Sequence, residues 1–153
     1  MLGGRSFSIW AADGHQVYDS GSDFERITAE RLPDRFNASN DNNSRDDRSD
    51  NKGPEPEGVA LGTIRGRTFA FIGLERIGGV MVYDITDPAA ARFVDYANPR
   101  DFTLDPRGTA PTDSGPEGVK FIDAKDSPTR QPLLVLGNEV SGTTTIYSID
   151  LVD

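Results

Sequence analysis

An internal repeat constrains this chain more than any other feature of its 153 residues. Gly53-Pro54-Glu55-Pro56-Glu57-Gly58-Val59 returns as Gly115-Pro116-Glu117-Gly118-Val119. Thr68-Phe69-Ala70-Phe71-Ile72-Gly73-Leu74-Glu75 returns as Pro132-Leu133-Leu134-Val135-Leu136-Gly137-Asn138-Glu139, and Gly78 to Ile85 returns as Gly142 to Ile149. The last two segments share an offset of 64, whereas Glu57 and Glu117 are 60 apart, so the second repeat carries a longer loop after its first strand. Self-similarity of this length marks a supersecondary unit that stacks on its own copies.

Each unit is a series of short apolar strands separated by Gly, Pro and Asp. The first predicts strands near 58–64, 67–74, 79–85 and 92–96, and the second near 118–122, 132–138 and 143–149. Four antiparallel strands make one propeller blade. The expected fold class is therefore all-β, a partial β-propeller of about two and a half blades from a larger ring, with one short helix near 23–32. Residues 1–21 are expected to be the outer strands of a preceding blade, 22–52 a helix and a polar insertion, 53–98 a blade, and 99–153 a last, incomplete blade. So few blades cannot close a ring, which predicts a fragment or truncated product with open sheet edges.

Upstream of the repeat, Arg5 to Trp10 alternates polar and apolar, Asp13-Gly14 is a turn dipeptide, and Gln16-Val17-Tyr18 resumes the extended pattern, predicting a hairpin over 4–20. Ser22 with Glu25 makes a capping box for a helix that places Phe24, Ile27 and Leu32 on one face and stops before Pro33. Residues 37–52 are an Asn/Asp-rich run with almost nothing to bury, expected to be solvated and partly disordered.

Charge excludes several functions. A formal net charge of -9 leaves no basic stripe for nucleic acid. No apolar run approaches the roughly 20 residues of a membrane span, so no membrane insertion is expected. The start carries no signal-peptide pattern. With no cysteine and one histidine, thiolate and multi-histidine metal sites are excluded.

Several motifs in fixed order resemble one family: Gly4-Arg5-Ser6-Phe7-Ser8-Ile9-Trp10, Asp19 to Glu25, Gly53 to Gly58, Ala70 to Arg76, and Gly137-Asn138-Glu139-Val140-Ser141-Gly142-Thr143. Together they resemble the C-terminal half of the choice-of-anchor I propeller proteins, which are also named mesenchyme-specific cell-surface glycoprotein-like or alkaline-phosphatase-like. The resemblance implies a seven-bladed type of ring and an extracellular, cell-surface or periplasmic location. It also implies that some members carry fused phosphatase or nucleotidase domains. The chain departs from the family in lacking an export signal and the N-terminal blades. Its expected partners are the upstream blades of the same propeller or a fused domain, together with an unknown ligand.

Carboxylates are the candidate site residues, all as metal ligands. Glu57 and Glu117 recur at the start of the innermost strand, and Glu75 and Glu139 at the end of the next, so in a propeller each pair lies on a ring about one axis. Clustered carboxylates need protons, arginines or a cation between them, and calcium takes about six to eight oxygen ligands. Arg76 is one such partner, although adjacent strand residues face opposite ways. Asp46, Asp47 and Asp50 in the polar run are a second set of oxygen donors without EF-hand spacing. The plainer alternative is that the glutamates cap backbone amides at turns. His15 is expected in an exposed turn, and Ser141 lacks the elbow of a serine hydrolase. Trp10, Phe69, Phe71 and Tyr83 are expected to pack between blades. Asp84 and Asp87 resemble a strand-ending turn of repeat proteins. The residues thus favour a non-catalytic scaffold that binds a ligand or partner, with calcium at its acidic channel residues. The alternative is a metal-dependent phosphoester hydrolase, or an accessory domain of one.

Overall fold

The strand β4 (Arg67–Leu74) sets the architecture, because its six residues from Phe69 to Leu74 are all buried. Alternation along a strand sends them to both faces. Phe69 and Phe71 point one way, and Ala70, Ile72 and Leu74 the other. A sheet built on such a strand must be covered on both sides. The computed structural model, which describes residues 4–109 and 112–152, supplies both covers.

This central sheet has the order β3-β4-β5-β6, all antiparallel, with β3 spanning Pro56–Ile64, β5 Val80–Asp84 and β6 Arg92–Ala97. A second sheet, β7 (Pro116–Ile122), β8 (Leu133–Asn138) and β9 (Thr143–Ser148), covers the Phe69 and Phe71 face. The opposite face carries the two-stranded sheet β1 (Ser8–Trp10) and β2 (Gln16–Asp19) and the helix α1 (Asp23–Arg31). Among the described residues the protein is thus an all-β domain of three antiparallel sheets with one nine-residue α-helix. Residues 1–3, 110, 111 and 153 of the expected segments lie outside the described residues.

The repeat is visible in backbone hydrogen bonds. The Glu75 N–H donates to the Glu55 carbonyl at 3.0 Å, and the Glu139 N–H to the Gly115 carbonyl at 2.7 Å. Gly78 N–H to Leu74 O is matched by Gly142 N–H to Asn138 O, both 2.9 Å. The sheets approach each other through glycines. A Cβ on Gly58 would lie 2.6 Å from the Glu117 carbonyl oxygen, and one on Gly62 would lie 2.6 Å from the Phe121 ring. Strands β3 and β7 therefore run side by side, and the Glu-bearing starts of the two repeats are brought together. Phe71 stacks on Phe121 at 5.8 Å across this boundary.

Three expectations are corrected. Ser22 stands at the N-cap of α1 but makes no side-chain cap bond. The capping box fails because Glu25 is drawn to Arg5 (2.5 Å) and Asn37 (2.9 Å) instead. Trp10 is 60 % exposed, not packed. A register shift between Ile9 and Trp10 interrupts the inward alternation of β1, and such bulges re-aim a side chain. Phe69, Phe71 and Tyr83 are buried as expected, with Tyr83 edge-on to Phe7 at 4.8 Å and donating to Asp23 at 3.0 Å. The polar run at 37–52 is not merely solvated, since Asn37, Ala38, Ser39 and Asn40 are buried.

Candidate functional site

Polar side chains can be buried when each finds a partner inside the protein, and the polar run does this by reaching the sheet ends. Asn37 donates to Glu25 and to Ser49 Oγ, both at 2.9 Å. Asn40 donates to Glu75 Oε1 at 2.9 Å and accepts from Arg76 at 2.9 Å. Arg100 clamps the run from the other side. It donates to the carbonyls of Arg76 (2.9 Å) and Asn42 (3.2 Å) and to Asn43 Oδ1 (2.8 Å), while its guanidinium stacks over Phe102 at 4.6 Å. Only neutral acceptors bond it, and burial lowers its pKa to about 10.

The run ends in an acidic corner at the start of β3. Carboxylate oxygens of Glu55, Glu57 and Glu75 all lie within 4.8 Å of one another. Three cations face them. Arg48 meets Glu55 at 3.2 Å, Lys52 bonds Glu55 and lies 3.9 Å from Glu57, and Arg76 bonds Glu55 and lies 3.2 Å from Glu75. Arg76 reaches both glutamates because β4 has ended at Leu74, so strand alternation no longer separates neighbours. Burial pushes the Glu75 carboxyl above its ordinary range. Arg76 and Lys52 oppose that shift, and Glu57 and Glu117 add to it.

Glu55, which sequence reasoning passed over, is the centre of this corner. It is 2 % exposed and adopts φ +51, a left-handed conformation that costs a non-glycine residue about 1–2 kcal/mol. The matching position of the second repeat, by backbone hydrogen bonding, is Gly115 at φ +74. The one legible sign was the additional Pro-Glu step before Pro56-Glu57-Gly58, which places a carboxylate where the other repeat has glycine.

The other expected ligands fall outside the three-glutamate group. Glu117 is exposed on β7 and close enough for its charge to raise the Glu75 pKa, whereas Glu139 is exposed just after β8. Asp46 accepts from Ser49, Asp47 accepts from Asn42 at 3.1 Å, and Asp50 is exposed. Ser141 bonds Ser114 and Thr143, a structural chain that ends on Asp113. His15 lies exposed in the β1–β2 turn. The corner offers hard oxygen donors that suit calcium or magnesium, but a cation entering it competes with Lys52, the most exposed of the three internal cations.

Among the described residues no helix is long and apolar enough to cross a membrane. Gigasin-3a of Magallana gigas is 32% identical over 164 aligned residues, which cover 99% of this chain and 57% of that protein. The mesenchyme-specific cell surface glycoprotein of Strongylocentrotus purpuratus is 27% identical over 99 residues, 56% of this chain and 13% of that protein. The chain therefore spans 57% or less of the length of these curated relatives. No solved structure matches it. The model of the choice-of-anchor I domain matches residues 1–88, a stretch that contains the whole acidic corner with Arg48, Lys52 and Arg76. The chain belongs to the choice-of-anchor I domain family.

Proposed function

We propose that this chain is a stretch of β-propeller acting as an extracellular or cell-surface binding scaffold, with a calcium-type cation admitted at the Glu55–Glu57–Glu75 corner. The observation that carries this reading is the convergence of three carboxylates where two stacked repeats meet, with Lys52 as the most exposed of their counter-ions. In this reading residues 1–21 are the outer pair of a preceding blade, 22–52 the helix and insertion, 53–98 a complete blade, and 99–153 an incomplete one. The ring is of the seven-bladed type. The name of the Strongylocentrotus purpuratus relative, a cell surface glycoprotein, supports the location. The other carboxylates expected as ligands, Glu117, Glu139, Asp46, Asp47 and Asp50, are peripheral to this corner, with Glu117 the nearest in its electrostatic effect.

Calcium titration calorimetry tests the cation. Glu57→Gln is expected to weaken binding, because it removes a ligand without touching the buried Glu55. Lys52→Ala is expected to strengthen binding, because it removes the competitor. The raised pKa of Glu75 fixes the pH dependence: cation and proton compete for the same carboxylate. Affinity is therefore expected to fall on acidification, beginning above the ordinary glutamate range. Absence of calcium binding, or binding indifferent to both substitutions, removes the cation from the reading. Chelator-sensitive turnover of a generic phosphoester by this chain would replace the scaffold with a hydrolase.

A further inference from the structure

The longer loop of the second repeat, between β7 and β8, comes to lie beside the β3–β4 turn of the first. A polar groove of about 340 Å³ runs between them, at the ends of the sheets opposite the acidic corner. Thr63 and Arg65 line one wall, and Asp123, Arg130 and Gln131 the other, while Asp150 beyond β9 also lines it. Both walls are complete connections, and both sheets that form the groove are present. In the first repeat, the chain after Ile85, the counterpart of Ile149, leads to β6 at the edge of the sheet far from β3. The groove therefore lies off the path of a fourth strand.

Two arginines from different repeats line it, and both are held in a left-handed backbone. Ile64 pairs with Arg67, so Arg65 and Gly66 form a two-residue turn with φ of +49 and +78. Such turns need positive φ at both positions and by preference take Asn-Gly. Arg130 adopts φ +60 within the β7–β8 connection. This conformation disfavours a residue as large as arginine, and strain of that kind points to the use of its side chain. Among the described residues Arg65 is the one arginine with neither an ion pair nor a hydrogen bond. Arg130 has a single contact, 3.4 Å to the Lys125 carbonyl. Guanidinium groups left free where 25 acidic residues face 16 basic ones are available to an anion from outside the chain.

We infer that this groove binds a hydroxylated monocarboxylate of the sugar-acid type. Arg65 and Arg130 hold its carboxylate, because the guanidinium fork matches two carboxylate oxygens. Asp123 and Asp150 balance the two arginines, so the groove has no surplus charge for a phosphate or sulfate dianion. Ionised carboxylates only accept hydrogen bonds, and hydroxyl groups beside the bound carboxylate supply the donors. Asp123 gives one oxygen to the Lys125 N–H at 3.0 Å and keeps the other for the ligand. The inference goes beyond the acidic corner and needs no cation.

The probe is glucuronate, titrated into the whole chain in chelator and followed by NMR, with glucose, acetate and inorganic phosphate as comparisons. Saturable shifts are expected at the Arg65, Gly66 and Arg130 amides with glucuronate. Glucose lacks the charge and acetate the hydroxyls, so each is expected to bind about tenfold more weakly or worse. Arg65→Asn and Arg130→Gly are each expected to weaken glucuronate by about tenfold or more. Both place in the left-handed position a residue that suits it, so the urea midpoint is expected to hold or rise. A merely structural arginine would instead lower the midpoint and leave the sugar acid unaffected, which overturns the inference. No saturable binding at millimolar glucuronate overturns it too, as does phosphate or acetate binding at least as tightly. Loss of calcium binding in the Glu57→Gln protein leaves the glucuronate result unchanged, so the two readings fail separately.

Discussion

Glu55 combines three properties that a purely structural residue seldom combines: burial, a left-handed backbone, and contact with three cations. Its matching position, Gly115, adopts the same conformation without a side chain, so the backbone turn does not require the carboxylate. The carboxylate is retained against about 1–2 kcal/mol of strain, which points to the charges it gathers. Glu55→Ala is expected to lower stability by about 3 kcal/mol, because it leaves the partly buried Arg48 without its anion and Arg76 with Glu75 alone. Glu55→Gly removes the same anion but relieves the backbone, and is expected to be less harmful than alanine by about 1 kcal/mol. Urea unfolding of the two variants checks both values; equal losses would show that the strain has no weight. The sequence pointed to the correct neighbourhood through Glu57 and Glu75, yet aligned the repeats on Pro-Glu-Gly and so made Glu55 a flanking residue. That same alignment sets Gly115 opposite Glu55, and the backbone hydrogen bonds of Glu75 and Glu139 make the same match.

Strands and helix were legible because each is written in local periodicity. β4 alternates between two buried faces, β8 turns Leu134 and Leu136 to the core, and α1 presents Phe24 and Ile27 to the core. The insertion at 37–52 has no such local code. Its order depends on partners far along the chain: Asn40 on Glu75, Asn43 on Leu104, and Arg100 on Asn42 and Asn43. A polar run of this composition is disordered by default unless distant groups satisfy it, and composition alone cannot reveal those groups. Arg100 is the residue whose loss tests this account. It is 5 % exposed and joins the insertion to the β4–β5 turn at Arg76. Arg100→Met keeps the apolar stem but removes the donors, and is expected to cost about 2–4 kcal/mol. Exchange at the Asp46 and Arg48 amides, which donate to Phe36 and Asn37, is expected to accelerate while β8 stays protected. Uniform acceleration across the sheets would mean that Arg100 supports the whole fold and does not specifically hold the insertion.

On the scale of the molecule, the packing of one sheet on the next is asymmetric, and the asymmetry is repeated. The first sheet offers Gly58 and Gly62 to the second, which answers with Val119 and Phe121. The repeat places Val59 and Leu61 where the second sheet has Val119 and Phe121, and these two are 60 % and 61 % exposed. It likewise places Gly118 where the first sheet has Gly58. A Cβ on Gly118 would meet only Gly137 of its own sheet, at 3.7 and 3.8 Å. The molecule therefore presents a projecting face at one end and, at the other, a glycine face kept at Gly118 although Ile122 stands where the first sheet has Gly62, the arrangement expected of consecutive layers in a longer stack. Gly58→Ala is expected to destabilise residues 1–153 by about 2 kcal/mol, since its Cβ would lie 2.6 Å from a backbone oxygen. Gly118→Ala in the same chain is expected to change stability by no more than about 0.5 kcal/mol. In a protein as long as the relatives, a further sheet on the glycine face would make the two substitutions comparably harmful. Urea unfolding of both alanine variants in both lengths decides the matter. If Gly118→Ala stays neutral in the longer protein, no sheet covers that face and the propeller reading is lost.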